Sequence, residues 1–224
     1  MDNNSFKNIT ERLVKIGREL YQRGLARGNS GNISARIPGI NAFLIKRSGA
    51  KLGTLQPQDF VIVDLQGKKR KGRGRVSLET PLHAIIYQTR RDANAVIHTH
   101  SPTATAFGIA KKEILPLQIE VFMRLPNGVP IVPYKAPGSK SLAEAVQKGI
   151  TKHDALILEN HGVIAIGQSI EDASDLIEMV EESANIQFLV SILGREGAIN
   201  LRDLKNKFTA KPNGDSKFNG SENT

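Results

Sequence analysis

The sequence predicts one α/β domain in which helices cover a sheet. Three observations lead there. Short apolar runs bounded by turn residues alternate with segments of three- and four-residue apolar periodicity. The length, 224 residues, suits one ordinary domain. Hydrophobic residues at 39% and charged residues at 24% match a soluble globular chain with an ample core.

Taken in order, residues 5–27 place Phe6, Ile9, Leu13, Ile16 and Leu20 on one face of an amphipathic helix, with Gly24 and Gly28 near its end. The stretch Gly28-Asn29-Ser30-Gly31-Asn32 reads as a turn. Strands follow at Ile33–Ile37, Ala42–Lys46 and Phe60–Leu65. Ser77–Arg91 returns to helical spacing, with Pro81 acceptable in a first turn and Leu82, Ile85 and Ile86 facing inward. Ala93–His98 is a compact apolar run and reads as a buried strand. A helix from about Pro102 to Ala110, a strand at Val129–Pro133 and a helix from Ser139 to Thr151 come next. Ala155–Leu158 and Val163–Ile166 form a strand pair around Glu159-Asn160-His161-Gly162. The helix Ser169–Leu193 carries Ile170, Ala173, Ile177, Val180, Ala184 and Phe188 on one face. Beyond Phe208 the composition turns polar and rich in Gly, Asn and Ser, so residues 1–208 are expected to form the domain and 209–224 a disordered tail. No internal repeat is present.

The chain contains no cysteine, which excludes a disulfide framework, a thiol nucleophile and cysteine-ligated zinc. A metal site must then rest on His, Asp and Glu. No apolar run approaches membrane-spanning length, and the polar start MDNNSFKNITERL lacks the apolar core of a signal peptide. A cytoplasmic protein without a membrane partner is expected. The formal net charge of +9 raises nucleic acid as a partner. The densest basic run, Lys68-Lys69-Arg70-Lys71-Gly72-Arg73-Gly74-Arg75, reads as a strand-connecting loop. No aromatic interleaves it, and aromatics are only 5% of the chain, so base-stacking platforms are scarce and no nucleic-acid partner is expected. The positive field suits an anionic substrate instead.

Chemistry concentrates in three places. In Val96-Ile97-His98-Thr99-His100, strand geometry turns residues two apart to the same face, so both imidazoles can reach one ion. Alone, that spacing is equally compatible with strand-end histidines bonded to backbone and solvent. Asn160-His161-Gly162 lies in a tight connection between apolar strands, where a histidine can simply be a turn residue. Three histidines converging from strand ends would instead leave an open coordination position, as catalytic zinc sites do. Glu79 opens a helix just before the His-x-His strand. It is either an acidic first-turn residue favoured by the helix dipole or a carboxylate that moves protons beside a metal. The turn Gly28–Asn32, with Ser48-Gly49 and Ser77, offers backbone N–H groups and small hydroxyls that suit phosphate oxygens. His83, four residues after Glu79, fits a packed core histidine or a support for the site. His153 is expected to be exposed.

Five motifs in this order carry a resemblance. Gly31-Asn32-Ile33-Ser34-Ala35-Arg36, Ser48-Gly49, Ser77-x-Glu79-Thr80-Pro81-x-His83, Asn94-Ala95-Val96-Ile97-His98-Thr99-His100 and Asn160-His161-Gly162 are similar to the class II aldolase/adducin family. The chain looks most like the L-fuculose-1-phosphate aldolase branch, from about residue 9 to residue 193. The resemblance implies a three-layer α/β/α sandwich with a mixed, largely antiparallel central sheet. It also implies Zn2+, or another divalent metal, on His98, His100 and His161, and Glu79 as the proton-transferring carboxylate. Gly31, Asn32, Ser48, Gly49 and Ser77 would surround the substrate phosphate. A cyclic homotetramer with active sites between subunits is a further implication. The adducin-like members lack the histidine triad, which argues against a scaffold or nucleic-acid-binding role here.

Two departures stand out. Leu78 replaces the second of two consecutive serines usual before the acid. The fuculose aldolases also have a tyrosine proton donor, whereas Leu115–Phe122 contains none and offers Glu120 near that position. The tyrosines are Tyr21, Tyr87 and Tyr134. The expected activity is reversible cleavage of a ketose 1-phosphate, L-fuculose 1-phosphate-like, to dihydroxyacetone phosphate and an aldehyde through a metal-stabilised enediolate. The alternatives on the same site are an L-ribulose-5-phosphate 4-epimerase, a methylthioribulose-1-phosphate dehydratase and a decarboxylase of a phosphorylated sugar acid.

Overall fold

The computed structural model describes residues 3–194; the tail expected at 209–224 lies outside the described residues. Eight strands make one sheet: β1 Asn32–Arg36, β2 Ala42–Lys46, β3 Phe60–Asp64, β4 Lys69–Lys71, β5 Ala95–Thr99, β6 Ile131–Val132, β7 Ala155–Leu158 and β8 Gly162–Gly167. The order across the sheet is β4-β3-β2-β1-β5-β8-β7-β6, and every pairing is antiparallel except β6 with β7. The helices are α1 Asn3–Gln22, α2 Thr80–Thr89, α3 Pro102–Ile109, α4 Ile119–Arg124, α5 Lys140–Ile150 and α6 Ile170–Leu193.

Strand alternation divides the core into two layers. Ile33, Ala35, Leu44, Ala95, Ile97, Ile157 and Ala165 pack with α1, α3, α4 and α6 on one face. Phe43, Ile45, Val61, Val63, Val96, Leu156 and Ile164 pack with α2 and α5 on the other. The result is a three-layer α/β/α sandwich.

Several boundaries differ from the sequence reading. Helix α1 stops at Gln22 because Gly24 turns to a positive φ of 77°, and Leu25 N–H then bonds the Leu20 carbonyl at 3.0 Å. Helix α2 starts at Thr80, since Ser77–Glu79 forms the turn that leads into it. The basic run is not wholly a loop: Lys69–Lys71 is an edge strand pairing with Ile62 and Val63. Its exposed positive side chains discourage edge-to-edge association. Helix α4 has only six residues, too few for a periodic signal to register.

Strand β5 lies between β1 and β8, with His98 opposite Asn32 on one side and Ile164 on the other. Two glycines permit this close packing. Gly31 has φ 73°, and a Cβ there would stand 2.9 Å from the His98 carbonyl oxygen. At Gly162 a Cβ would stand 2.2 Å from the Thr99 carbonyl oxygen and about equally close to both strand histidines, at 3.1 and 3.2 Å. Gly162→Ala must therefore push β8 away from β5. Urea unfolding is expected to show a loss of about 1–3 kcal/mol, typical of overpacking; an unchanged midpoint would mean the two strands can separate freely.

Candidate active site

Alternation along β5 sends Val96 and His98 toward the α2 layer and Ala95 and Ile97 toward the α6 layer. His100 follows the strand on the His98 side. His161 enters from the β7–β8 turn, where Asn160 takes the left-handed conformation at φ 57° and His161 N–H bonds the Leu158 carbonyl at 3.0 Å. The three rings meet with centroids 4.7 to 5.2 Å apart. Glu79, at the N-terminal end of α2, reaches into the same place. Its Oε2 lies 3.2 Å from His98 Nε2 and its Oε1 3.4 Å from His161 Nε2.

Charge and solvation follow from this crowding. Burial pushes His100 down to about 4, helped by the neighbouring His98 and His161. Burial likewise lowers His161, with His98 adding to the effect. Burial thus favours the neutral, lone-pair-bearing form of both rings. For Glu79, burial is the largest single influence and pushes the carboxyl upward. His98, His161 and the Asn32 amide together outweigh it and hold the group below the usual carboxylate range.

The donor set fits a divalent cation. One ligand atom from each of His98, His100 and His161 lies within 4.8 Å of the others. The Nε2 atoms of His98 and His100 are 3.2 Å apart, near the roughly 3.3 Å separating two nitrogens on one tetrahedral zinc ion. The His98 Nδ1 donates to the Val163 carbonyl at 2.9 Å, which turns the lone pair of Nε2 inward. Two buried polar atoms here, Glu79 Oε1 and His161 Nδ1, have no hydrogen-bond partner. Orphaned buried acceptors of this kind are costly unless something else binds them.

The residues expected around a phosphate are distributed more unevenly. Ser48 and Gly49 are exposed in the turn after β2, with Gly49 at φ 77°. The Ser48 N–H bonds the Arg75 carbonyl at 2.9 Å, which brings this turn beside the segment leading to Ser77. The Ser77 hydroxyl accepts from Glu79 N–H at 3.3 Å. Gly31 adjoins the histidine strand, but the Asn32 side chain is already engaged, donating to Glu79 Oε2 at 2.8 Å and meeting His83. Leu78 is 68% exposed and lies against Gly138. Glu120 is exposed on α4, and His153 is half-buried rather than exposed.

Sequence reasoning did not single out Lys46. Its buried Nζ donates to the Ala50 carbonyl at 2.6 Å and lies 3.5 Å from the Asn29 carbonyl, tying together the turns at Asn29 and Ala50. Burial, with the nearby Arg47, lowers it to about 8. The available signal was a lysine closing the otherwise apolar strand Ala42-Phe43-Leu44-Ile45-Lys46. His83, Ser34 and Tyr87, all buried, form a further polar group behind Glu79.

A sequence model of the class II aldolase and adducin N-terminal domain matches residues 11–188. The chain is 34% identical over 186 residues to 5-deoxy-D-ribulose 1-phosphate aldolase from Bacillus thuringiensis serovar kurstaki, covering 82% of this chain and 86% of that one. It is 32% identical over 189 residues to 3-oxo-tetronate 4-phosphate decarboxylase from Escherichia coli K12, with coverages of 82% and 88%. Among solved structures, an L-fuculose 1-phosphate aldolase superposes with a TM-score of 0.82 at 27% identity, covering 90% of this chain and 96% of that one.

Chelator-treated protein titrated with Zn2+ in a calorimeter is expected to take up one equivalent per chain. The His98→Ala/His100→Ala double variant is expected to take up none at that site. Equal uptake by both proteins would dissociate the ion from these rings.

Proposed function

The chain belongs to the class II aldolase and adducin family and is one of its enzymes; from that premise we propose a zinc-dependent sugar-phosphate aldolase. The reaction is reversible cleavage of a ketose 1-phosphate of the L-fuculose 1-phosphate kind to dihydroxyacetone phosphate and an aldehyde. The observation that carries this reading is the placement of Glu79, a buried carboxylate 3.2 and 3.4 Å from two of three converging imidazoles, with one oxygen that accepts no hydrogen bond.

His98, His100 and His161 would hold the ion. When bound, a divalent cation supplies a Lewis acid that stabilises negative charge developing on a substrate's carbonyl and hydroxyl oxygens. The rest falls to the chain's own groups. Glu79, kept ionised by its surroundings, takes or returns the proton at the carbon beside the carbonyl. Asn32 fixes one carboxylate oxygen through its amide, which leaves the other for the substrate. Val163 sets the His98 ring orientation through its carbonyl. Lys46 and the Gly31, Ser48, Gly49 and Ser77 turns are suited to the phosphate, with the buried ammonium as the countercharge and the serine hydroxyls as donors. The overall charge of +9 draws anions toward them.

A homotetramer in the cytoplasm is part of the same reading. Exposed Ile109, Ile119, Met123, Ile192 and Leu193 give the helices apolar surface that association would bury. Among the described residues no helix is long and apolar enough to cross a membrane.

One observation favours a second reading, decarboxylation of a phosphorylated 3-oxo sugar acid. The segment Leu115–Phe122, where the fuculose aldolases the chain resembles carry a tyrosine proton donor, has no tyrosine to exchange a proton with a departing aldehyde, and Tyr87, behind Glu79, is buried with its phenol pushed upward. Loss of carbon dioxide needs no acid–base group at that end of the substrate. A panel of ketose phosphates and sugar-acid phosphates followed by mass spectrometry separates the two: cleavage yields two fragments, and decarboxylation loses carbon dioxide. Glu79→Gln is expected to retain zinc while losing about 10²–10⁴-fold in kcat on the active substrate. Full activity after removal of all metal, or in Glu79→Gln, would contradict both readings.

A further inference from the structure

Helix α2 and strand β1 face each other through polar side chains at matching intervals. Glu79, His83 and Tyr87 recur every four residues and share one face of the helix. Asn32, Ser34 and Arg36 recur every two residues and share one face of the strand. Their contacts form a ladder across the layer. Asn32 Nδ2 donates to Glu79 Oε2 at 2.8 Å, and Asn32 Oδ1 meets His83 Nε2. His83 Nδ1 lies 2.7 Å from Ser34 Oγ, which lies 2.8 Å from the Tyr87 hydroxyl. The Arg36 guanidinium closes the series, 4.9 Å from the Tyr87 ring centroid and bonded to the Tyr87 carbonyl at 2.9 Å. Asn32, Ser34, His83 and Tyr87 are all buried, in a layer that is otherwise apolar. Packing alone would be served as well by hydrocarbon, and a buried polar network is retained where its geometry matters.

The direction of each bond follows from the two ends. An ionised carboxylate only accepts, so Asn32 must turn its NH2 toward Glu79 and its oxygen toward His83. His83 must then carry its hydrogen on Nε2, which leaves Nδ1 bare to accept from the Ser34 hydroxyl. Ser34 in turn accepts from Tyr87. Every group donates toward Glu79. The opposite tautomer of His83 would invite the Asn32 amide to flip and set its oxygen against the carboxylate, a repulsive contact between buried groups.

We propose that His83, held by Ser34 and Tyr87, is a positioning residue that sets the orientation of the Asn32 amide and thereby the carboxylate of Glu79. This rests on the reading of Glu79 as the proton-transferring group. The ladder does not conduct protons, because the amide between His83 and Glu79 has no labile proton to pass on at neutral pH. Burial, which drives His83 down to about 3, keeps the ring neutral as the ladder requires.

The test has two parts, both on the full-length zinc-loaded protein. Nitrogen-15 NMR of the histidine side chains is expected to show His83 as the neutral Nε2–H tautomer from about pH 8 to about pH 5. A Nδ1–H tautomer or an imidazolium would overturn the proposal. The second part follows solvent deuterium entering dihydroxyacetone phosphate, which isolates the proton transfer. His83→Leu is expected to lose about 10–100-fold in kcat, with KM within about 2-fold and one zinc per chain retained; His83→Gln, which keeps a donor, recovers most of the loss. Unchanged kcat, or loss that appears in KM or zinc content instead, would overturn it. Should His83→Leu fail to fold, Tyr87→Phe removes only the far hydroxyl, and a fall in kcat of about 2–5-fold is the expected result; wild-type kcat there would count against the ladder. If wild-type protein exchanges no deuterium at all, the reading of Glu79 fails, and the His83 tautomer alone still decides the hydrogen-bond directions.

Discussion

The register of β5 between β1 and β8 governs the placement of every reactive group. Because side chains alternate, a slip of one residue would send His98 to the α6 layer and bring Ile97 to the place where Glu79 waits. Four paired residues on the β1 side and five on the β8 side fix that register. The apolar residues of β5 reinforce it, since Ala95 and Ile97 fill one layer and Val96 the other. Gly31 and Gly162 then let the neighbouring chain close against the strand end without a Cβ in the way. His98, delivered this way, stands on the sheet rather than on a loop, and its ring is oriented by the Val163 carbonyl.

Burial is what makes the cluster chemically capable. Around Glu79 it opposes ionisation, while the neighbouring rings and the Asn32 amide favour it and prevail. Around His100 it favours the neutral ring. The same exclusion of water therefore leaves an anionic carboxylate beside imidazoles with free lone pairs, a combination suited to a cation and a proton acceptor side by side. Lys46 extends the theme: its buried ammonium is bonded to the backbone carbonyls of Asn29 and Ala50, and burial lowers it to about 8.

Much of the architecture was legible because it rests on local periodicity. Strands Ala42–Lys46 and Ala155–Leu158 begin and end where the apolar runs do. The convergence of His98 with His100 follows from strand alternation alone. That His161 would join them was suggested by its place in a strand-connecting turn and by the family resemblance. Features that depend on distant partners were not legible. Helix α4 is too short to show a period, and β4 is a strand only because β3 offers an edge. Lys46 owes its burial to the turns at Asn29 and Ala50, which the strand pattern of residues 42–46 does not reveal. The ladder of α2 and β1 was visible in its two spacings, but nothing in the sequence says that residues 32–36 face residues 79–87.

Three imidazoles, His98 on β5, His100 just beyond it and His161 in the β7–β8 turn, would hold one cation beside Glu79. A crystal structure of protein grown with Zn2+, with diffraction recorded on both sides of the zinc absorption edge, tests it most directly. One strong anomalous peak per chain is expected within about 2.0–2.1 Å of a nitrogen from each of His98, His100 and His161. A peak elsewhere with these three rings unliganded, or no peak in a well-ordered site, would contradict it.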